Sequence, residues 1–477
     1  MNYRMICYLS GQIIRVLGLL MLLPLLVAVI YHEPDARNAF ALTAAVLVAA
    51  GTLITLKKPK TKDIYNREGM ATVAFAWILV SLLGAAPYVL CGDIPSIPDA
   101  IFETASGFTT TGSTIVDNIE GMTHACLFWR SFSHFLGGMG VLILMLAIMP
   151  QNDTRMMYLV RAESAGPTAG KLTAKMSFSV RILYMIYLAL TALETVLLLC
   201  GGMNFFDAIT HAFSTAGTGG FSTLNNSVGG FDSAYADIVI TVFMLLFSVN
   251  FTLYFLMLSD KFIQAIKNEE LHVFLSIVVL SSLAIAVNIM HLYGGFFKAL
   301  RYSSFQVLAF ISTTGFATAD FTDWPFFSQM ILILLMFVGG CAGSTGGGLK
   351  VMRIILLFKT AVAEVRRVLN PRAVISVKCD GKAVDKEIVR SVSLYFVLFM
   401  LLAGTSMLIL SLDGQDIGAT VTAVITCLNN VGPGLSVISG GNLSCFSGWA
   451  KLLLSADMLL GRLEIYPMLV LFTMRKK

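Results

Sequence analysis

The sequence predicts an all-α polytopic membrane protein: four pseudo-fourfold M1–P–M2 repeats around a central pore, plus two extra N-terminal transmembrane helices. Three observations predict it. Of 477 residues, 57% are hydrophobic and only 13% charged, where a soluble domain carries about 25% charged residues; mean hydropathy is +0.80. Apolar runs of about 20 residues recur along the whole chain, enough to span a bilayer as helices. Four internal stretches resemble one another, each between two long apolar runs. A β-barrel is excluded, because its strands would be about ten residues long and alternate in polarity.

The N-terminal pair occupies 1–68. Its first span begins near Leu9 and carries no small-residue cleavage site, so the N-terminus reads as a retained signal-anchor helix. Charge then orients the chain. Lys57, Lys58, Lys60, Lys62 and Arg67 fill one loop; Arg155, Arg161, Lys171, Lys175 and Arg181 mark another; Lys261 and Lys267 a third. The segment 350–390 is rich in Lys and Arg, and Arg475, Lys476 and Lys477 end the chain. Alternate loops instead carry Asp117 and Glu120, Asp232 and Asp237, or Asp320 and Asp323, with no Lys or Arg. By the positive-inside rule the basic loops and both termini are cytoplasmic, with roughly ten full spans implied by the alternation.

The repeated stretches are DAIFETASGFTTTGST (99–114), DAITHAFSTAGTGGFST (207–223), FQVLAFISTTGFAT (305–318) and AVITCLNNVGPGLS (423–436). Asp99 stands thirteen residues before Gly112, and Asp207 thirteen before Gly220. The units read as 69–155, 176–262, 270–368 and 386–477. Full-length spans precede each stretch at 70–91, 180–200, 271–293 and 391–412, and follow it at 124–150, 234–258, 325–360 and 446–474. A leading segment of about 12 residues is too short to cross a bilayer and suits a re-entrant half-helix. Irregular backbone at membrane depth survives only inside protein or beside water. Four such loops around one axis meet that condition by lining a pore, where their carbonyls replace the hydration shell of a cation. The bland reading, small-residue helix packing, suits one such motif but not four in register.

TTTGS (109–113), STAGTGGFS (214–222), STTGFAT (312–318) and NNVGPG (429–434) resemble the four filter loops of the Trk/Ktr/HKT superfamily of potassium transporters. The two extra spans and GRLEIYP (461–467) resemble its bacterial TrkH/TrkG branch. The resemblance implies potassium uptake across the bacterial inner membrane by a single-chain pore in a homodimer. It implies a filter of Thr109, Thr110, Thr111 and Gly112; Thr218, Gly219 and Gly220; Thr313, Thr314 and Gly315; and Asn430, Val431 and Gly432. Gly219 competes with Gly220 for the key position, and the shared spacing favours Gly220. The filter departs from the TVGYG of potassium channels, which implies weaker selectivity. Serine at the first key glycine goes with sodium transport in this superfamily, so Gly112 points to potassium. The transported K+ is the only bound metal implied, with no covalent cofactor.

GGCAGSTGGGLK (339–350) follows an apolar run. It is no phosphate loop, because Lys350 follows Leu349 and precedes Val351 rather than Ser or Thr. Gly339 lies 15 residues after Trp324, about 22 Å along a helix, so the break starts at membrane depth. The resemblance implies that Gly339, Gly340, Gly343, Ser344, Thr345, Gly346, Gly347, Gly348 and Lys350 form a gate under the filter. Ser344 and Thr345 are expected to satisfy freed backbone groups, and Lys350 to mark the inner end. Arg462 lies thirteen residues after Trp449, about 20 Å down. A charge there is costly and functional by default, the bland alternative being a salt bridge with Glu464 or Asp457 or snorkelling; the resemblance places it in the pore as a barrier. An Arg130–Glu103 pair is expected to hold the first half-helix, and Glu194 and Asn250 to be interhelical hydrogen-bond partners.

The resemblance also implies a TrkA-type cytosolic ring that binds nucleotides and docks on basic loops such as 57–67 and 359–390. No nucleic-acid partner is expected. A proton- or sodium-coupled secondary transporter is the nearest alternative, since such folds also use broken helices. They commonly show two inverted repeats, not four of like topology, and no acidic relay is in register here, although Glu103 and Glu194 keep the coupled reading open. An enzyme is excluded by the lack of a Ser/His/Asp set, an HExxH or paired carboxylates. The eight cysteines, with no CxxC, read as packing residues.

Overall fold

The computed structural model describes residues 2–57, 59, 66–140, 176–259, 261–373 and 375–473. The expected basic residues Lys58, Lys60, Lys62, Arg155, Arg161, Lys171, Lys175 and Arg475–Lys477 lie outside them. So does the second span of the first unit beyond residue 140. Among the described residues the only sheet is a hairpin, Lys378–Cys379 against Lys382–Ala383.

Six continuous helical stretches are long and apolar enough to cross a membrane: Tyr3–Ile30, Pro34–Thr55, Arg67–Cys91, Arg181–Cys200, Glu269–Ile289 and Lys386–Asp413. They are the two N-terminal spans and the first long helix of each unit. Each unit then has a short helix: Ile97–Thr109, Phe205–Gly217, Phe296–Ile311 and Ile417–Asn429. Three of these have 13 residues, roughly 20 Å of helix against about 30 Å of hydrocarbon. Their starts are locally encoded. Pro98 occupies the first turn of one, where a missing N–H costs nothing. Asn204 and Asp416 accept N–H groups in the first turns of two others, the ordinary N-cap arrangement.

The second helices correct the expectation of ten full spans. Of the three described past their midpoints, none is continuous, and only the break in the third unit was expected. Ala234–Ser248 and Phe251–Leu258 meet at 87°. Phe326–Val338 and Val351–Leu369 are parted by the Gly-rich stretch. Gly448–Arg462 and Tyr466–Thr473 are parted by a turn with Glu464 and Ile465 both at positive φ. Hydropathy alone runs through these breaks, because the residues that bend the backbone are themselves apolar or few. Asn250 is not an interhelical partner: its Oδ1 accepts Thr252 N–H at 2.9 Å and starts the bent half-helix.

Candidate ion pathway

The four short helices end alike. Thr110, Thr218, Thr313 and Asn430 take φ of 57°, 54°, 61° and 53°. Two residues later Gly112, Gly220, Gly315 and Gly432 take φ of 82°, 81°, 77° and 105°. Gly219 is not in that region, so the register falls on Gly220. In three loops the residue before the key glycine donates N–H to the carbonyl five positions back: Thr111 to Ser106, Gly219 to Ser214, Val431 to Thr426, at 2.9–3.0 Å. The third loop closes differently, with Gly315 N–H on Ala309 O at 2.9 Å.

The loops close a ring. A Cβ on Gly112 would collide with Gly219 O, one on Gly220 with Thr314 O, one on Gly315 with Val431 O, and one on Gly432 with Thr111 O. Each loop therefore rests its glycine against the carbonyl of the next, and the fourth returns to the first. Glycine is required twice over, by positive φ and by this contact. Side chains bind the seam between loops four and one: Asn430 Nδ2 donates to Thr111 Oγ1 at 2.9 Å, and Ser113 Oγ to Gly432 O at 2.9 Å.

Behind the ring sits a buried ion pair. Arg130 Nε lies 2.7 Å from Glu103 Oε1, at 1% and 0% side-chain exposure. Glu103 also accepts Thr114 Oγ1 and Ile115 N–H at 2.9–3.0 Å, and Arg130 reaches Ser222 O at 3.2 Å. The pair so joins the first short helix, the chain leaving its loop, and the second loop. Buried charges persist where every lone pair and proton is met in this way.

The stretch 339–350 leaves the helix and returns to it. Leu349 N–H bonds Phe337 O at 3.1 Å, and Val351 N–H bonds Gly340 O at 3.0 Å. The tip fits the break in the second unit: Cys341 N–H to Ser248 O at 2.9 Å, and Phe251 N–H to Gly343 O at 3.1 Å. One break's orphaned backbone groups satisfy the other's, as irregular backbone at this depth demands. Ser344 and Thr345 hydroxyls bond Cys341 O and Phe247 O at 2.7 and 3.1 Å. The far side touches the ring. Gly347 N–H bonds Thr313 Oγ1 at 2.7 Å, and a Cβ on Gly347 would strike Asn429 O.

Arg462 donates to Thr345 O at 2.8 Å and to Gly138 O at 2.9 Å, tying this loop to the first unit. Neither Glu464 nor Asp457 is its ion-pair partner: Glu464 pairs with Arg353, and Asp457 accepts Ser406 Oγ at 2.8 Å. Lys350, expected at the inner end of the loop, does not project from it. It is 2% exposed and its ammonium turns back onto Gly346 O. A cavity of about 210 Å³ is lined by Gly138, Phe251, Gly346, Gly347, Lys350 and Arg462 among others. Every unit's second segment thus contributes to one chamber beside the ring.

A family model described as TrkH, Cation transport protein, matches residues 36–294 and 295–476. The chain belongs to the TrkH family. It is 37% identical to the Trk system potassium uptake protein TrkH of Salmonella typhimurium, over 99% of both chains. It is 34% identical to the Escherichia coli protein named TrkG, over 99% of this chain and 98% of that one. The fold superposes on the crystal structure of the potassium transporter TrkH from Vibrio parahaemolyticus with a TM-score of 0.90, at 34% identity and 99% coverage of each.

Sequence reading missed two features of this TrkH-family chain. Glu270, 1% exposed, accepts Ala342 N–H at 2.7 Å and Met352 N–H at 3.1 Å through one oxygen. It clamps both limbs of the Gly-rich stretch; its only signal is an acid at the entrance of a span. Next to it, the 378–383 hairpin docks on the same helix end. Asp380 accepts Glu269 N–H at 2.8 Å, and Lys359 donates to Lys378 O at 2.7 Å and pairs with Glu269.

Proposed function

We propose that the chain carries potassium into the cell across the bacterial inner membrane, with both termini cytoplasmic, through a filter made by the four-loop ring. What carries the reading is the closed ring of glycine-to-carbonyl contacts, combined with relatives named as potassium uptake proteins. The filter comprises Thr109–Gly112, Thr218–Gly220, Thr313–Gly315 and Asn430–Gly432, with backbone carbonyls as ligands. Stretch 339–350 is the gate, and the contacts of Gly346 and Gly347 with the ring support its place as a plug. Arg462 sets an electrostatic barrier in the chamber.

The active form is a homodimer under a cytosolic nucleotide-binding ring of the TrkA type. Segment 359–390 is the preferred contact, since its hairpin grips the helix end whose Glu270 clamps the gate. A proton-coupled mechanism finds less support: Glu103 is fully engaged by Arg130, Thr114 and Ile115. The test is potassium-driven flux in proteoliposomes, with and without sodium competition, followed by Gly112→Ser. Flux should follow the potassium gradient and voltage without a proton requirement, and Gly112→Ser should shift preference toward sodium. Flux that needs a proton gradient, or an unchanged ion preference, would sink the reading.

A further inference from the structure

We propose that Cys91 and Cys126 form a dithiol that oxidises to a disulfide on the outer face, stapling the first short helix and its filter loop. Their sulfurs lie 3.4 Å apart, although the residues are 35 positions apart in sequence. A disulfide needs about 2.05 Å, a modest closure from that gap. Both thiols are free, Cys91 partly exposed and Cys126 buried.

The surroundings hold the two sulfurs in register. Cys91 ends the helix Ala86–Cys91, and Cys126 sits in the first turn of His124–Gly138. Asp93, two residues after Cys91, accepts Thr123 N–H at 3.0 Å and Thr123 Oγ1 at 2.8 Å. The chain beside one cysteine is therefore already tied to the chain beside the other. The stretch between them contains the whole helix Ile97–Thr109, the loop to Gly112, and Glu103. A crosslink here would restrict the unfolded excursions of that segment.

Cys91, Asp93 and Cys126 place ligand atoms within 4.8 Å of one another, and a thiophilic divalent cation is the competing occupant. It fits less well, because Asp93 Oδ2 already accepts both Thr123 donors. The redox step is thiol–disulfide exchange with a small or protein disulfide as oxidant. Cys91 loses its proton, and its thiolate attacks the oxidant's S–S bond and displaces one thiolate. Cys126 then loses its proton and attacks the Cys91 sulfur of the mixed disulfide, releasing the second thiolate. The protein gives up two electrons and two protons; the oxidant leaves as two thiols.

The outer-face location rests on the orientation proposed above; the pairing does not. The test equilibrates the full-length protein in lipid nanodiscs with reduced and oxidised glutathione, then maps peptides without reductant by mass spectrometry. The expected result is a Cys91–Cys126 linked peptide lacking two hydrogens, with a raised melting temperature that reductant reverses. Cys126→Ser, or Cys91→Ser if the first does not fold, should abolish both. Glutathione on Cys91 alone, a crosslink without a melting shift, or zinc chloride protecting both thiols from oxidation each overturn the proposal. The same mapping on cells quenched with alkylating agent separates the two readings. A pair that closes in nanodiscs but is reduced in cells overturns the outer-face assignment and leaves potassium flux, measured in parallel, untouched.

Discussion

Removing the charge of Glu103 while Arg130 stays leaves a guanidinium at 1% exposure without its counter-ion. Breaking such a buried pair costs about 3–5 kcal/mol, whereas replacing both members by apolar groups is often neutral. Glu103→Gln should therefore lower the temperature at which the detergent-solubilised protein loses its monodisperse peak, and Glu103→Leu with Arg130→Met should recover part of the loss. A double variant no better than the single would show that Thr114 and Ile115, not Arg130, need the carboxylate. At Arg462 two effects are joined, charge and tether. Arg462→Ala should raise potassium flux in proteoliposomes. Arg462→Lys keeps the charge but not the fork that reaches Thr345 and Gly138 together. If charge sets the barrier, the lysine variant stays slow; if the tether does, it leaks like alanine.

At the scale of elements, the 339–350 stretch is held by backbone pairs into the break at residues 248–251 and by the Glu270 clamp. Deleting 343–348 removes the tip and the ring contacts, so flux without the cytosolic partner should rise; a pore that stays shut would place the gate elsewhere. The hairpin supplies its own reporter. Burial, then the Glu269 and Asp380 carboxylates, push the Cys379 thiol up to about 11. Its thiolate fraction, and so its alkylation rate, should be small at pH 8 and climb steeply toward pH 11. Asp380→Asn, which weakens docking and removes a neighbouring charge, should speed alkylation at pH 8. An equal rate would mean that the hairpin does not sit on the helix end in solution. The two N-terminal spans, the first long helix of each unit and the four half-helices were legible from charge asymmetry, span length and repeat spacing. Of the breaks in the second helices, only the one at Gly-rich 339–350 was, because hydropathy averages across Val249 and Leu463. Glu270 and the Cys91–Cys126 approach are products of tertiary packing between distant segments, which no spacing rule reaches.

For the whole molecule, the proposed orientation puts Val437 and the hairpin on opposite faces. Val437 is 65% exposed in the chain leaving the fourth loop, and Lys382 is exposed in the hairpin. A membrane-impermeant maleimide should label Val437→Cys in intact cells and Lys382→Cys only after permeabilisation. The reverse pattern would invert the molecule. The four key glycines lie wherever a loop meets its neighbour, which is why short polar-Gly signatures located them.

That glycine-to-carbonyl contact has a direction. Each unit offers a glycine on one side and a carbonyl on the other, so the units join head to tail, as subunits do in a cyclic oligomer whose rotation closes. Fusion into one chain frees the four joints to diverge in sequence, and Thr-Gly, Gly-Gly and Val-Gly are three chemistries of the same joint. With the ring as the proposed filter, ion preference belongs to pairs of units. A side chain added at Gly112 acts by displacing the carbonyl of Gly219, so compensating changes should arise in the neighbouring unit, and always on the same side of the ring.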